Sequence, residues 1–361
     1  MQPISYPFPD APASGRTLQI APGIHWLRMP LPMALDHINL YLLEEDDGWW
    51  IVDTGMGGAR TRELWREVFA GPLASKPVKA VLVTHMHPDH VGQSGWLCDQ
   101  FQVPLYMTQV EYLSARNFSR MTAEDLSWTT ERYYRRLGFD DAFFPAFKAR
   151  FRGFGAAVDT IPGAYTRVRD GDLLTIGRRQ WRAMIGRGHS PEHLCLYCAE
   201  DQLLISGDQI IPRITSNVGV MAIEPEANPL ADWLASLEAF KVIPDETLVL
   251  PSHNAPFYGV QRRLHDLIEH HRDHLDALEE ACVTPRTALS LLPVLFDRKL
   301  DEMQMGMAMG ECLAHLNYLV YAGRLSRQLD AAGRYQFQTC DPAVARRPVR
   351  PHHRSTGPME V

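Results

Sequence analysis

We predict a layered α/β fold for this 361-residue chain from three observations. Short apolar runs bounded by turn residues recur along the first 260 residues, which is typical of buried strands. Helical patterns stand between several of these runs, and that alternation favours sheets covered by helices. Hydrophobic residues make up 45% of the chain and charged residues 22%, so the composition is that of a globular protein with a sizeable core.

The predicted strands fall into two groups separated by a helical insert at about residues 111–160. The insert holds 11 aromatic residues in 50 positions, which is 22% against 9% for the whole chain. This enrichment indicates either an inserted subdomain with its own core or a lid that lines a pocket, and the two are compatible. The strands themselves are predicted at 25–31, 38–45, 49–55, 80–85, 104–108, 180–186, 194–200, 202–207 and 247–252.

The sequence divides into four regions by composition and pattern. Residues 1–20 are Pro-rich and predict an N-terminal arm, and residues 21–260 form the main α/β domain. Residues 261–338 read as helices followed by a β-ribbon, which suggests a small winged-helix-like domain. Residues 339–361 are rich in Pro and Arg and predict a disordered tail.

Charge, cysteine content and hydropathy exclude several classes of protein. A formal net charge of −7 and a pI of about 6.1 give no electrostatic basis for binding nucleic acid or an anionic membrane. We find no signal-peptide pattern and no apolar run of a length that spans a membrane. The six cysteines are dispersed, Cys195 and Cys198 read as core residues of one strand, and a reduced, cytoplasmic protein is expected.

A dense group of possible metal ligands follows the apolar run at residues 80–84. The segment VTHMHPDHVG places His85, His87, Asp89 and His90 within six positions. Imidazole nitrogens and carboxylate oxygens suit borderline metals such as zinc, iron and manganese.

Three further candidates each follow a predicted strand in the same manner. They are His189 in GRGHSPEH, Asp208 in SGDQ and His253 in PSHN. Ligands at strand ends sit on rigid supports, and the strands of one layer bring their ends to a single rim. The chain therefore offers five histidines and two carboxylates, enough for two metal ions with positions left for water and substrate.

This set of motifs resembles the metallo-β-lactamase superfamily over about residues 22–260. The H-x-H-x-D-H run, the later G-H-S, S-G-D and final His, and IVDTG at 51–55 carry the resemblance. It implies a four-layer αβ/βα sandwich with two divalent metal ions at one edge. Zinc is the expected metal, with iron or manganese as alternatives. The implied ligands are His85, His87 and His189 for the first ion, Asp89, His90 and His253 for the second, and Asp208 bridging both.

Two other groups of residues have competing interpretations. Asp53 is expected to orient a ligand imidazole or the ligand loop from outside the ligand set, although a simple turn aspartate before Gly55 would also explain it. His270 and His274 have the i, i+4 spacing of a metal pair, but no strand end frames them, so we expect a solvated helix face.

The resemblance implies a hydrolase that uses a metal-bridging hydroxide, with Asp89 and Asp208 as its catalytic carboxylates. We expect a small-molecule ester as substrate, a thioester first, as in glyoxalase II-like or acyl-CoA enzymes. A lactonase, or a phosphodiesterase or endoribonuclease, is the alternative on the same site, and a one-iron sulfur dioxygenase is another. A β-lactamase is not expected, because by resemblance those enzymes replace the bridging aspartate that this chain keeps.

The C-terminal region bears on the choice of partner. Residues 261–338 carry nine Lys and Arg against eleven Asp and Glu, which is a poor phosphate-binding surface. A non-enzymatic nucleic-acid binder is therefore the least favoured reading. The apolar helix at 303–323 is expected to serve structure or dimerisation, so a homodimer is an open alternative.

Overall fold

The computed structural model describes residues 1–300, 302–341 and 343–344, which form fourteen strands and ten α-helices. The strands are β1 (Thr17–Ala21), β2 (Ile24–Pro30), β3 (His37–Glu45), β4 (Gly48–Val52), β5 (Val78–Leu82), β6 (Leu105–Met107), β7 (Thr166–Arg167), β8 (Leu173–Ile176), β9 (Arg179–Gly186), β10 (His193–Cys198), β11 (Leu203–Gly207), β12 (Leu248–Pro251), β13 (Leu325–Leu329) and β14 (Tyr335–Thr339). The helices are α1 (Ala59–Ala70), α2 (Pro88–Val91), α3 (Ser94–Phe101), α4 (Gln109–Phe118), α5 (Trp128–Leu137), α6 (Phe143–Arg150), α7 (Pro229–Ala239), α8 (Val260–Ala281), α9 (Ala288–Leu295) and α10 (Glu302–Tyr321).

Two sheets face each other and carry helices on their outer faces. The first sheet has the order β1-β2-β3-β4-β5-β6-β7, antiparallel as far as β4 and parallel beyond it. The second has the order β12-β11-β10-β9-β8, in which only the β11–β12 pair is parallel. This is the predicted four-layer α/β sandwich, and that prediction is confirmed.

Strands buried on both faces explain the continuous apolar runs of the sequence. In β3, Leu40 and Leu42 pack toward the helices of the first sheet, and Tyr41 and Leu43 point into the layer between the sheets. Cys195 and Cys198 divide in the same way, since Cys195 packs toward the C-terminal helices and Cys198 lies between the sheets. The two cysteines therefore occupy separate core layers.

The helical insert begins with α4 and includes α5 and α6. Tyr134, Phe139, Phe143 and Phe147 stack in succession, with ring centroids 4.0–5.8 Å apart. These aromatic rings pack on one another, and Tyr134 and Phe139 also pack against the core of the C-terminal helices, so both readings of the insert stay predictions. The Tyr133 hydroxyl joins the insert to the rest of the chain by donating to the Val220 carbonyl at 2.7 Å.

The C-terminal helices α8, α9 and α10 cover the outer face of the second sheet together with α7. Leu204 of β11 and Val249 of β12 share one core cluster with Leu264, Leu278 and other residues of these helices. Most of the apolar residues of α10 are buried in this cluster, so this helix contributes to the core of its own chain. Those residues are Ala308, Met309, Cys312, Leu313, Ala314, Leu316 and Leu319.

A two-stranded hairpin, β13–β14, follows the three helices and turns at Gly333, whose φ is 76°. The order of helices and hairpin agrees with the sequence reading, while the likeness to winged-helix domains stays a prediction.

Residues near the N-terminus are tied to the main domain at several points. Ser5 pairs with Tyr258, and β1 begins at Thr17, inside the predicted arm, because Ile20 packs between the sheets. Of the predicted tail, residues 342 and 345–361 lie outside the described residues, while Val344 is buried. Among the helices that the structure describes, none combines the length and apolar character needed to cross a bilayer.

Candidate metal centre

The carboxyl ends of strands from both sheets meet at one edge of the sandwich. Asp53 follows β4, the segment 85–90 follows β5, His189 follows β9, Asp208 follows β11 and His253 follows β12. β4 and β5 are parallel, as are β11 and β12, so their ends must lie at the same edge. The structure brings all seven predicted ligand residues together there.

The donor atoms form two groups that share one carboxylate. His85, His87, His189 and Asp208 make the first group, in which His85 Nε2 lies 2.9 Å from His87 Nδ1 and 3.2 Å from His189 Nε2. Asp208 Oδ2 is 3.4 Å from His189 Nε2.

Asp89, His90 and His253 make the second group, with Asp89 Oδ2 3.6 Å from His90 Nε2 and 3.4 Å from His253 Nε2. Asp208 Oδ1 lies 3.4 Å from His253 Nε2. Asp208 Oδ2 lies 3.4 Å from His90 Nε2 as well, so the Asp208 carboxylate is close to donor atoms of both groups.

The spacing of these atoms fits metal ligation. Two imidazole nitrogens bound to one tetrahedral zinc ion at about 2.05 Å are about 3.3 Å apart. The closest nitrogen pairs of the first group lie 2.9 and 3.2 Å apart. Within the described chain, His90 Nε2 and Asp208 Oδ1 are buried with no hydrogen-bond partner. Buried polar atoms without partners are costly, so the observed arrangement suits an ion that satisfies them.

Asp53 lies directly behind the second group, as the sequence analysis expected. Its Oδ2 accepts a hydrogen bond from His90 Nδ1 at 2.9 Å, and its Oδ1 accepts one from the Thr84 backbone N–H at 2.8 Å. A carboxylate can only accept a hydrogen bond, so the proton of His90 is on Nδ1. The lone pair on His90 Nε2 then points toward the other metal-ligating atoms of the centre. Asp53 has φ 60°, a left-handed conformation that aspartate tolerates better than most residues.

Backbone carbonyls orient two further imidazoles. His189 Nδ1 donates to the Asn217 carbonyl at 2.8 Å, and His253 Nδ1 donates to the His37 carbonyl at 2.9 Å. Both rings therefore present Nε2 to the centre. The His37 ring accepts from the Asn254 N–H at 3.0 Å through Nε2, and burial lowers the pKa of His37 to about 4.

The buried carboxylates of Asp89 and Asp208 favour positive charge at this edge of the sandwich. Burial would lower the pKa of His253, but Asp208 and Asp89 outweigh it and raise that pKa to about 10. Burial would raise the pKa of Asp89, but His90 and His253 lower it to about 2. In the first group, by contrast, burial lowers the pKa of His87 to about 3, which keeps its lone pair available.

Sequence reasoning missed two residues that hold this edge in place. His193 Nε2 accepts from the Asp208 N–H at 3.0 Å, which fixes the loop that carries Asp208. Glu111, fully buried in α4, accepts from the Met86 N–H at 2.9 Å and the Glu192 N–H at 2.7 Å. It ties the segment 85–90 to the loop after His189. His193 could have been found from the sequence, because it is the second histidine of the segment GHSPEH, four positions after His189. Nothing near Glu111 in the sequence indicated its role.

Comparison with known proteins identifies the family. A model described as the metallo-beta-lactamase superfamily matches residues 34–253. The chain belongs to the metallo-β-lactamase superfamily. A second model, of the metallo-beta-lactamase-like C-terminal domain, matches residues 275–340, so the C-terminal helices also have counterparts within the superfamily.

Three similar proteins show how far the likeness extends. A beta-lactamase domain protein from Burkholderia ambifaria has a crystal structure that is 43% identical, with a TM-score of 0.86, covering 93% of this chain and 98% of its own. The probable metallo-hydrolase YqjP of Bacillus subtilis is 24% identical over 81% of this chain and 91% of its own length. The acyl-coenzyme A thioesterase MBLAC2 of Bos taurus is 26% identical over 66% of this chain and 81% of its own length.

Proposed function

We propose that this protein is a dinuclear metal hydrolase that cleaves small-molecule esters, with acyl thioesters as its main substrates. The observation that carries the proposal is the position of Asp208, whose carboxylate lies 3.4 Å from His189 Nε2 of the first group and 3.4 Å from His90 and His253 Nε2 of the second. A shared carboxylate of this kind suits a pair of ions better than a single one. We propose zinc as the metal, because the donors are imidazoles and carboxylates in a nearly closed arrangement.

The residues of the donor set have separate roles in holding metal ions and orienting ligands. When bound, two divalent ions would lower the pKa of a water molecule and polarise the substrate carbonyl. His85, His87 and His189 would hold one ion, and Asp89, His90 and His253 the other. Asp53 keeps the His90 Nε2 lone pair facing inward. Hydrolysis then adds the water oxygen to the acyl carbon, breaks the C–S bond and returns a proton to the thiolate.

Two observations favour a thioester over other esters. The relative MBLAC2 carries the name of an acyl-coenzyme A thioesterase. The mostly apolar segment 29–37 ends at His37, whose backbone carbonyl accepts from His253 Nδ1, so the C-terminal end of this segment lies at the metal edge. The insert offers a weaker argument for binding an anionic tail such as a coenzyme A phosphate, from Arg132, Arg135, Arg136, Arg150 and Arg152. Arg135 forms ion pairs with Glu131 and Asp141, which leaves it poorly suited to that role.

Partner and compartment are part of the same proposal. A small molecule is the expected partner, and the acidic chain does not favour nucleic acid. All six cysteines are free thiols and five are buried, which supports a reducing, cytoplasmic location. A homodimer stays a prediction.

A substrate panel tests the proposal directly. The metal-stripped protein would be reloaded with zinc, manganese or iron and assayed with acyl-CoA and glutathione thioesters, lactones and bis-p-nitrophenyl phosphate. We expect thioester turnover that Asp208→Asn abolishes and that the surface control Asp47→Asn retains. Turnover of the phosphodiester alone would overturn the substrate assignment, and full activity in the presence of a strong chelator would overturn the metal mechanism.

A further inference from the structure

Helices α8 and α10 bring together three metal-binding side chains apart from the centre described above. His270 and His274 stand one turn apart on α8, and Glu311 comes from α10. Their donor atoms all lie within 4.8 Å of one another. The expectation of a solvated helix face was wrong here, because α10 packs on this side of α8 and neighbouring His271 is fully buried.

Two of the facing atoms lack the partners that burial requires. The Glu311 side chain is 2% exposed, and its Oε2 accepts from Asn217 Nδ2 at 3.1 Å. Its Oε1 and His270 Nε2 are buried with no hydrogen-bond partner in the part of the chain that the structure describes. A buried carboxylate oxygen without a partner costs free energy that a cation would offset. Burial also raises the pKa of Glu311 to about 7.

The surrounding histidines hold this arrangement as neutral imidazoles. His315 Nδ1 lies 2.8 Å from the Glu311 backbone carbonyl, which can only accept, so the proton is on Nδ1. Its Nε2 then accepts from His271 Nδ1 at 3.1 Å, which links α10 to α8. Burial lowers the pKa of both His270 and His315 to about 4. Neutral imidazole is the form that binds metal ions.

We propose that His270, His274 and Glu311 form a further metal site that takes one zinc ion or a similar divalent transition metal. Two histidines at i, i+4 on a helix place both rings on one face, and a carboxylate from a facing helix completes a His₂Glu set. This donor set leaves a fourth position for water. The site is also linked to the main centre, since Asn217 contacts Glu311 through its side chain and His189 through its carbonyl.

Zinc stoichiometry tests this site without reference to activity. The chelator-stripped wild type would be saturated with zinc, freed of excess metal by gel filtration and analysed by elemental mass spectrometry. We expect His270→Ala/His274→Ala to bind one equivalent less than the wild type. The matched control is His265→Ala, an exposed histidine of the same helix, which should lose none. The test compares the zinc content of the double variant with that of the wild type, so its result does not depend on how many ions the main centre binds. Failure of the proposed dinuclear function would neither produce nor hide this difference.

A structural measurement covers the case in which the double variant does not fold. Crystals of the zinc-loaded wild type should show an anomalous difference peak at the zinc edge between His270, His274 and Glu311. Equal zinc content in the folded double variant and the wild type, or a zinc-saturated crystal without this peak, would overturn the proposal.

Discussion

Replacing Asp53 by asparagine removes one negative charge behind the metal centre with almost no change in side-chain shape. Asparagine also tolerates the φ of 60° at this position, so the backbone should keep its course. The amide oxygen can still accept from the Thr84 N–H, but the amide NH₂ then faces His90 Nδ1. Two donors cannot share that contact, so His90 must move its proton to Nε2, the atom that faces Asp89 and Asp208.

The loss should appear as weaker metal binding. Partners that orient ligating histidines typically contribute 10–100-fold to metal affinity or activity, which corresponds to about 1.4–2.7 kcal/mol. We expect a decrease of this size in zinc affinity, measured by competition with a coloured chelator, together with a comparable fall in kcat/KM. The surface variant Asp47→Asn, whose exposed carboxylate pairs with Lys79, provides the control. Wild-type zinc affinity in a folded Asp53→Asn protein would refute the role given to this hydrogen bond.

Three further outcomes follow from contacts around the centre. His193→Ala leaves the buried N–H of Asp208 without its acceptor, and urea unfolding should show a loss of about 1–3 kcal/mol together with reduced zinc content. Glu111→Ala removes the acceptor of two backbone N–H groups, so we expect the free energy of unfolding to fall by about 2–6 kcal/mol. The control Glu124→Ala, at an exposed position, should change it little, and equal stability of the two variants would contradict this role of Glu111. Removing metal with a chelator should lower the melting temperature, because an ion at 100 times its Kd stabilises the folded state by about 2.7 kcal/mol; an unchanged melting curve would count against binding to the native state.

Local patterns predicted the layered α/β class and the seven candidate ligands, whereas the four-layer sandwich was implied by the resemblance of the motifs to the metallo-β-lactamase superfamily. Each candidate directly follows a buried strand, and the apolar runs mark those strands clearly. The parallel pairs β4–β5 and β11–β12 each bring the carboxyl ends of their two strands to one edge of their sheet. Short strands escaped the same reasoning, since β7 has two residues and β8 has an exposed first residue, Leu173, and little alternation.

Residues whose role depends on distant contacts could not be found in this way. Glu111 acts on Glu192, 81 positions away, and nothing in the sequence around Glu111 records that contact. The same holds for His270 and His274, because the pattern of α8 alone does not show that α10 covers them. His193 lay inside a motif already identified, but its bond to Asp208 spans 15 positions and depends on the pairing of β10 with β11.

The core shared between the second sheet and the C-terminal helices has a consequence for synthesis of the chain. When β12 has left the ribosome, the outer face of its sheet, including Leu204 and Val249, still lacks α8 and α10. Roughly 70 more residues must follow before α10 ends at Tyr321, which takes roughly 4–14 s at ordinary rates of translation. During that interval the nascent protein exposes this apolar surface to solvent. Chaperones are therefore expected to bind the chain late in translation rather than early.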